Sequence, residues 1–293
     1  MAEADLAAQP RRRWVQCASP KGLHRVAYLE WGDARSPDVL VCVHGLTRTG
    51  RDFDELARAL CGRFRVVCPD VAGRGASEWL PDPMLYVVPQ YAADMVTLIA
   101  RLDVETVDWL GTSLGGLVGM ALAAQPGAPI KRLVLNDVGP VIAKAALERI
   151  ATYLGQAPAF PSVEEAEKYV RAVSAPFGPH TESQWRFLTE TWIRKDAEGK
   201  WRPHYDPRIA DEYKRTLPAQ DIELWYLYDA IRCPTMVLRG EQSDLLPRQT
   251  AEAMARRGPK AKVVEIAGVG HAPTLLNPDQ IGIVRDFLHG EAS

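Results

Sequence analysis

Short runs of apolar residues alternate along this chain with segments whose apolar residues recur every three or four positions. Runs of the first kind are typical of strands, and the second spacing is typical of helices. Several runs, such as Val39–Val43, are apolar at nearly every position, which indicates strands that are covered on both faces. The pattern predicts an α/β fold with a mostly parallel eight-stranded sheet and helices on both faces. The strands are expected at 14–17, 26–31, 39–43, 65–69, 106–110, 132–137, 235–239 and 262–266.

The alternation stops between about residues 140 and 233, where no strand pattern is evident. Ser162-x-x-Glu165 and Thr181-x-x-Gln184 are typical of capping boxes, which begin helices. We therefore expect a helical cap inserted between two strands of the core. The expected parts are a flexible tail at 1–12, a core at 13–139 and 234–293, and the helical cap at 140–233.

Composition narrows the class of protein. The chain has 293 residues, 47% of them apolar, and a net charge of −2, so neither nucleic acid nor an anionic membrane is an expected partner. No apolar run reaches the roughly 18 residues of a membrane span, and no apolar stretch of a secretion signal follows Arg11 to Arg13. The five cysteines form no CxxC pair, which favours free thiols in the reducing cytoplasm.

The strongest chemical signal is Gly111-Thr112-Ser113-Leu114-Gly115, which follows a predicted strand and opens a helix of small residues. A sharp strand–turn–helix presents the serine hydroxyl at the end of the sheet, and flanking glycines relieve the crowding. The N–H groups at the helix N-terminus would face the negative charge that develops during attack. Ser113 is therefore the expected nucleophile.

A serine hydroxyl needs a base, and the base needs a carboxylate that fixes its tautomer. His271, in the glycine-rich loop after the last strand, is the expected base, and His44 is the competitor. Two carboxylates follow strands in the order Ser, Asp, His: Asp244 and Asp137. We expect Asp244 to be the acid and keep Asp137 as the alternative, because chain order does not distinguish them.

The oxyanion formed by attack needs two N–H donors. The expected donors are the backbone groups of Leu114, directly after the nucleophile, and Leu46, in the loop that begins at His44. The residues expected to line the substrate pocket are His44, Thr47, Trp185 and Trp192.

These positions, taken in order, resemble the α/β-hydrolase superfamily from about residue 14 to residue 288. Four segments resemble its oxyanion loop, its glycine turn, its nucleophile elbow and its histidine loop: His44-Gly45, the run from Asp70 to Ser77, Gly111 to Gly116, and Gly270-His271. The run from Arg239-Gly240 to Asp244 resembles its acid loop. Ser113 stands where dehalogenases and epoxide hydrolases of this fold have an aspartate nucleophile. The resemblance therefore implies a hydrolase without cofactor or metal that acts on acyl groups.

The leading hypothesis is a Ser-His-Asp hydrolase that cleaves a small carboxylic ester through an acyl-enzyme, acting as a monomer or homodimer. One alternative is a carbon–carbon bond hydrolase or enol-lactonase of aromatic catabolism, which would need a basic side chain for a substrate carboxylate. Arg48, Arg74 and Arg186 are available, although each is expected on the solvated surface. Another alternative is a ligand-binding protein that keeps the fold without turnover.

Overall fold

An eight-stranded sheet lies at the centre of the protein, for which a computed structural model describes residues 9–290. The strands are β1 (Arg11–Ser19), β2 (Gly22–Trp31), β3 (Val39–Val43), β4 (Arg65–Pro69), β5 (Val107–Thr112), β6 (Ile130–Asn136), β7 (Val141–Ile142), β8 (Ile193–Lys195), β9 (Trp201–Pro203), β10 (Ile222–Glu223), β11 (Thr235–Gly240) and β12 (Lys262–Ile266). The α-helices are α1 (Asp54–Leu60), α2 (Val88–Arg101), α3 (Leu114–Ala123), α4 (Lys144–Tyr153), α5 (Val163–Val173), α6 (Glu182–Glu190), α7 (Ile209–Arg215), α8 (Trp225–Tyr228), α9 (Arg248–Met254) and α10 (Pro278–His289). Short 3₁₀ turns occupy Gly50–Phe53, Pro83–Leu85 and Ala175–Phe177.

The strand order across the sheet is β1-β2-β4-β3-β5-β6-β11-β12. Strands from β4 to β12 in this order pair in parallel, whereas β1 and β2 are antiparallel to their neighbours. This confirms the predicted α/β class and the mostly parallel sheet of eight strands. In parallel strands the carboxyl ends lie on one edge, so the loops after β3, β5, β6, β11 and β12 converge there.

Both faces of the sheet are covered by helices. On β3, Val41 and Val43 pack in one apolar cluster with residues of α2 and α3, whereas Leu40 and Cys42 pack in a second cluster with residues of α1 and α10. Successive side chains of a strand point to opposite faces, so both faces must be apolar. This explains why β3 has no polar position, as the sequence indicated.

The edge strand β1 begins earlier than expected. Residues 1–8 of the expected tail lie outside the described residues, but Arg11 and Arg12 belong to β1 rather than to the tail. Arg11 and Arg13 approach the buried carboxylate of Glu30 on β2, at 3.3 and 3.4 Å. The first three residues of this strand were missed because an edge strand with one neighbour carries charged residues on its exposed positions, and this hides the apolar alternation.

The inserted segment, residues 140–233, contributes no strand to the eight-stranded sheet. Its two predicted capping residues are present: Ser162 accepts a hydrogen bond from the Glu165 N–H, and Thr181 forms a complete capping box with Gln184. The expectation of a segment without strands was wrong, because β7 pairs with β10 and β8 pairs with β9. Strands of two or three residues are too short to leave a recognisable alternation. The division into core and cap stays a prediction.

Candidate active site

Ser113 lies between β5 and α3, on the sharp turn expected from the sequence. Its backbone has φ 51° and ψ −112°, a conformation that L-residues seldom adopt and that structures retain mainly at functional sites. The Ser113 N–H donates to the Asn136 carbonyl of the neighbouring strand end, at 3.0 Å. The turn therefore holds the hydroxyl at the carboxyl edge of the sheet.

The glycines that flank Ser113 are required by close packing. A Cβ on Gly111 would collide with the backbone of Gly115 and Gly116, and a Cβ on Gly115 would collide with the carbonyl of Val43. Without side chains at these two positions, α3 can begin directly against β3 and β5. This packing explains the Gly-x-Ser-x-Gly spacing.

His271 connects Ser113 to a buried carboxylate. The Nε2 atom of His271 lies 3.0 Å from the Ser113 Oγ, and its Nδ1 lies 2.8 Å from the Asp137 Oδ2. Since a carboxylate only accepts, Nδ1 carries the proton and Nε2 is free to accept from the serine hydroxyl. The three side chains thus form a chain of hydrogen bonds from nucleophile to base to acid.

The carboxylate that binds His271 is that of Asp137, the alternative, and not that of Asp244, the expected acid. Asp137 follows β6, is fully buried, and accepts from the Gly240 N–H at 2.8 Å and from the Ser243 hydroxyl at 2.6 Å. These hydrogen bonds hold the orientation of its carboxylate. Its backbone has φ 54°, a second non-glycine residue in the left-handed region at this edge.

Asp244 faces away from the histidine. Its carboxylate is half exposed and accepts from Arg149 of α4, from Nε at 2.7 Å and from Nη2 at 3.0 Å. The preceding residue of the same loop, Ser243, is the one that points inward to Asp137. Neighbouring side chains of this loop point to opposite sides, so Ser243 joins the buried hydrogen bonds around Asp137 while Asp244, the next residue, lies at the surface.

The loop after β3 is held by His44 and by the turn that follows β4. The Nδ1 of His44 donates to the Gly45 carbonyl at 2.7 Å, and its Nε2 accepts from the Val71 N–H at 2.9 Å. Burial, reinforced by nearby arginines, lowers the pKa of His44 to about 3, so the ring is neutral at pH 7. Because the Gly45 carbonyl and the Leu46 N–H point to opposite sides of one planar peptide, this bond also fixes the Leu46 N–H.

Arg74 holds the same loop from the other side. Its side chain is fully buried, and its Nε donates to the Leu46 carbonyl at 2.8 Å. A Cβ built on Gly45 would lie 3.8 Å from the Ser113 Cβ, so this loop passes close to the nucleophile. Of the two predicted oxyanion donors, Leu46 lies in this loop and Leu114 is the first residue of α3, and their role stays a prediction.

A pocket opens above Ser113 and His271, between the core loops and the inserted segment. The core contributes the loop from Gly45 to Arg48, including Thr47, as well as the loop around His271. The inserted segment contributes α4, α5 and the turn at Ala175–Phe177. The aromatic lining consists of Phe53, Tyr153, Tyr169, Phe177, Trp192 and Tyr205.

Two of the four residues expected on the pocket lie elsewhere. His44 is buried beneath the loop, where it holds the backbone. Trp185 packs against the His180 ring, and the Arg171 guanidinium lies over its indole. Thr47 and Trp192 do line the pocket. Trp185 and Trp192 belong to the same segment, and only the packing of its helices decides which of them faces the cavity.

The family follows from a match over most of the chain. A sequence model of the α/β-hydrolase fold matches residues 38–278. The chain belongs to the α/β-hydrolase family. A protein of Cupriavidus necator named 3-hydroxybutyrate-oligomer hydrolase is 54% identical over 293 residues, which cover 97% of this chain and all of that protein. The esterase YbfF of Escherichia coli is 25% identical over 254 residues, which cover 85% of this chain and 92% of that protein.

A solved structure of an α/β hydrolase from Novosphingobium aromaticivorans superposes with a TM-score of 0.86 at 38% identity, covering 96% of this chain and 98% of that one. Together these likenesses identify the protein as a hydrolase. In residues 9–290, none of the helices of this α/β hydrolase is long and apolar enough to cross a membrane.

Of the three arginines that the sequence offered for a substrate carboxylate, two are less exposed in this α/β hydrolase than expected. Arg48 lines the pocket and is buried, bound to Asp52 and to the Leu188 carbonyl, and Arg74 is buried as described above. Asp52 neutralises Arg48, whereas Arg74 is held by the Leu46 and Ala72 carbonyls and by the Tyr91 hydroxyl, and its Nη2 has no hydrogen-bond partner. Arg186 is on the surface, as expected, bound to Glu164 and Glu190.

One group of side chains has the composition of a metal site. Cys17, His24 and Asp94 are all buried between β1, β2 and α2, away from the pocket. Burial and the Asp94 charge raise the pKa of the Cys17 thiol to about 12, so no thiolate is available there. The His24 Nε2 and the Asp94 Oδ2 are 3.0 Å apart and bind each other. This group is therefore better described as a buried hydrogen-bonded pair beside a thiol.

Sequence reasoning missed Arg149 and Tyr153, both of which line the pocket from α4. The helix itself was not predicted, because Lys144–Tyr153 begins without a side-chain cap and only Ala146 and Ile150 are buried. The four-residue spacing of Arg149 and Tyr153 would have placed them on one face, had the helix been recognised.

Proposed function

We propose that this protein is a serine hydrolase that cleaves the ester bonds of short 3-hydroxybutyrate oligomers. The observation that carries the proposal is the hydrogen-bonded chain from Ser113 through His271 to Asp137, which opens into a pocket. The substrate class comes from the Cupriavidus necator protein, whose name specifies 3-hydroxybutyrate oligomers. Oligomers of a hydroxy acid are joined by ester bonds, so this substrate suits a serine nucleophile.

In the proposed first step, the Nε2 of His271 takes the Ser113 proton while the Oγ attacks the ester carbonyl carbon. Asp137 accepts from the Nδ1–H and stabilises the imidazolium that forms. The carbonyl oxygen becomes an oxyanion, for which the proposed donors are the N–H groups of Leu46 and Leu114. On collapse, the carbon–oxygen bond to the alcohol breaks, and His271 returns the proton to the leaving 3-hydroxy group.

The second step releases the acyl group from Ser113. Water enters the pocket, gives a proton to His271 and attacks the acyl carbon, and the bond to the Ser113 Oγ then breaks. His271 returns the proton to the serine oxygen, so the enzyme is regenerated and the acid departs. These two steps need no cofactor, because Ser113, His271 and water account for every acyl group and proton that is transferred.

The test is the release of 3-hydroxybutyrate from synthetic dimer and trimer by the purified protein, measured by chromatography. We expect turnover by the wild type and a loss of at least about a thousandfold in kcat for Ser113→Ala. A fluorophosphonate probe should label the wild type and not this variant. A wild-type protein that releases no monomer and takes up no probe would overturn the proposal.

A further inference from the structure

Two arginines line the pocket, and they differ in how their donors are used. Arg48 gives its Nε and Nη2 to Asp52, which also lines the pocket, and its Nη1 to the Leu188 carbonyl. Its three nitrogens are therefore all engaged, and its counter-ion sits beside it in the cavity. Arg48 is therefore already neutralised within the pocket.

Arg149 stands at the rim of the same pocket with a different arrangement. It donates to Asp244 through Nε and Nη2, which form one edge of the guanidinium fork. Its partner Asp244 is not among the pocket residues, so within the described lining Arg149 is a cation whose counter-ion lies outside the cavity. The Nη1 group, with two N–H donors, lies outside the fork that Asp244 occupies.

Tyr153 lies one helical turn after Arg149 and lines the pocket too. The Arg149 guanidinium donates a hydrogen bond to its hydroxyl, which leaves the phenol O–H as a second donor beside the guanidinium. A guanidinium N–H and a phenol O–H side by side match the two oxygens of a carboxylate. Asp244 holds the guanidinium from behind, which lowers the entropy lost when a ligand binds.

Every oligomer of 3-hydroxybutyrate with a free acid end carries one carboxylate, and cleavage of a dimer leaves that carboxylate on the departing alcohol half. Because the site is half exposed, water and salt weaken the attraction, and a moderate effect on binding is expected.

Resting on the proposed function, we propose that Arg149 and Tyr153 form the subsite for the free carboxylate of the substrate, with Asp244 as a positioning residue that holds Arg149. The subsite makes the enzyme selective for oligomers with a free acid end. It also gives Asp244 a role at the substrate end of the pocket, away from the Ser113 proton relay.

The experiment compares two dimers that differ at one group: the free acid and the same dimer with its carboxyl converted to a primary amide. We expect the wild type to have a KM about tenfold lower for the acid, with similar kcat for both. In Arg149→Gln, the acid-to-amide ratio of kcat/KM should fall to near one. Tyr153→Phe and Asp244→Asn should lower the ratio by a smaller factor, and added salt should lower it in the wild type.

Arg186→Gln is the matched control, because Arg186 is an ion-paired arginine of the inserted segment that does not line the pocket. It should keep the wild-type ratio. A different reading, in which Arg149 only ties α4 to the core, predicts a lower melting temperature and equal losses on both dimers. That outcome overturns the subsite, as does a wild-type ratio near one.

Failure of the subsite and failure of the proposed function give different results. If the wild type cleaves both dimers equally and Arg149→Gln does not change the ratio, the subsite is absent and the esterase remains. If the wild type cleaves neither dimer and Ser113 takes up no fluorophosphonate, the function itself is wrong and the subsite falls with it.

Discussion

The loops at the carboxyl edge of the sheet and the inserted segment above them meet in one pocket but are built differently. In the edge loops, His44 and Asp137 are completely buried, and each ring or carboxylate atom facing the site has a fixed partner. On the inserted segment, the pocket residue Arg149 is 42% exposed, and its partner Asp244, in the loop after β11, is 49% exposed. The groups proposed for proton transfer are therefore held by buried partners, whereas those proposed for recognition are held by an ion pair at the surface.

The largest expected difference is between the two aspartates. Asp137→Asn should lower kcat on a neutral p-nitrophenyl ester by about 10³–10⁴-fold, because the amide no longer holds the tautomer of His271 that can accept from Ser113. Asp244→Asn should lower it by no more than a few-fold, since that carboxylate contacts Arg149 at the rim. Steady-state kinetics with both variants measures this, and equal losses would break the distinction.

A second difference should appear in stability against pH. The folded-state pKa of His44 is about 3, below its ordinary value of 6.5, so between these values the unfolded chain binds a proton that the folded protein does not. Stability from this group is therefore full above pH 6.5 and declines as the pH falls toward 3. Over two pH units the loss amounts to about 2–3 kcal/mol.

Denaturant unfolding at pH 6.5 and pH 4.5 tests this expectation. His44→Gln should reduce the pH dependence of the unfolding free energy, although the variant is less stable at both pH values. His289→Gln, on α10 and outside the pocket, serves as the control and should keep the wild-type dependence. If the unfolding free energy of His44→Gln depends on pH as steeply as that of the wild type, the buried neutral imidazole of His44 is not the cause of the pH dependence.

A third difference concerns backbone packing. Gly115→Ala should destabilise the fold by about 1–3 kcal/mol, because its methyl group meets the Val43 carbonyl and the strand cannot yield cheaply. Gly62→Ala is the matched control, since a Cβ there would meet nothing within 4 Å. The melting temperatures of the two variants test this expectation. A Gly115→Ala protein as stable as the control would show that the turn can accommodate a methyl group.

The smallest difference lies within the inserted segment, between two tryptophans. Trp192 lines the pocket and stacks on Tyr169, whereas Trp185 does not line it. Trp192→Phe should raise KM for the oligomer by about threefold to tenfold, because less apolar surface is buried, with kcat nearly unchanged. Trp185→Phe should leave KM as it is. An equal rise in both would mean that the helices reposition together.

The sequence was sufficient for most of the sheet. The strands at 39–43, 65–69 and 262–266 begin and end where predicted. The first two are buried on both faces and leave a nearly uninterrupted apolar pattern, whereas the third is an edge strand with no buried residue. The start of α10 also has a local sequence signal, because the Asn277 side chain caps it by accepting from the Asp279 N–H and Pro278 is its first residue. The sequence was poorest for the short strands and for α4 in the inserted segment, where packing onto the core replaces periodicity.

By itself, the sequence determined the family, the nucleophile turn at Ser113 and the histidine loop at His271, since each depends on residues that are adjacent along the chain. Only the tertiary structure decided between Asp137 and Asp244. Both aspartates follow strands and precede the histidine, so chain order carries no information about which carboxylate points inward. The direction is set by how the loops after β6 and β11 turn at the sheet edge, where Ser243 faces the interior and Asp244 faces Arg149. A contact between loops more than a hundred residues apart is a property of the folded chain, not of any local pattern.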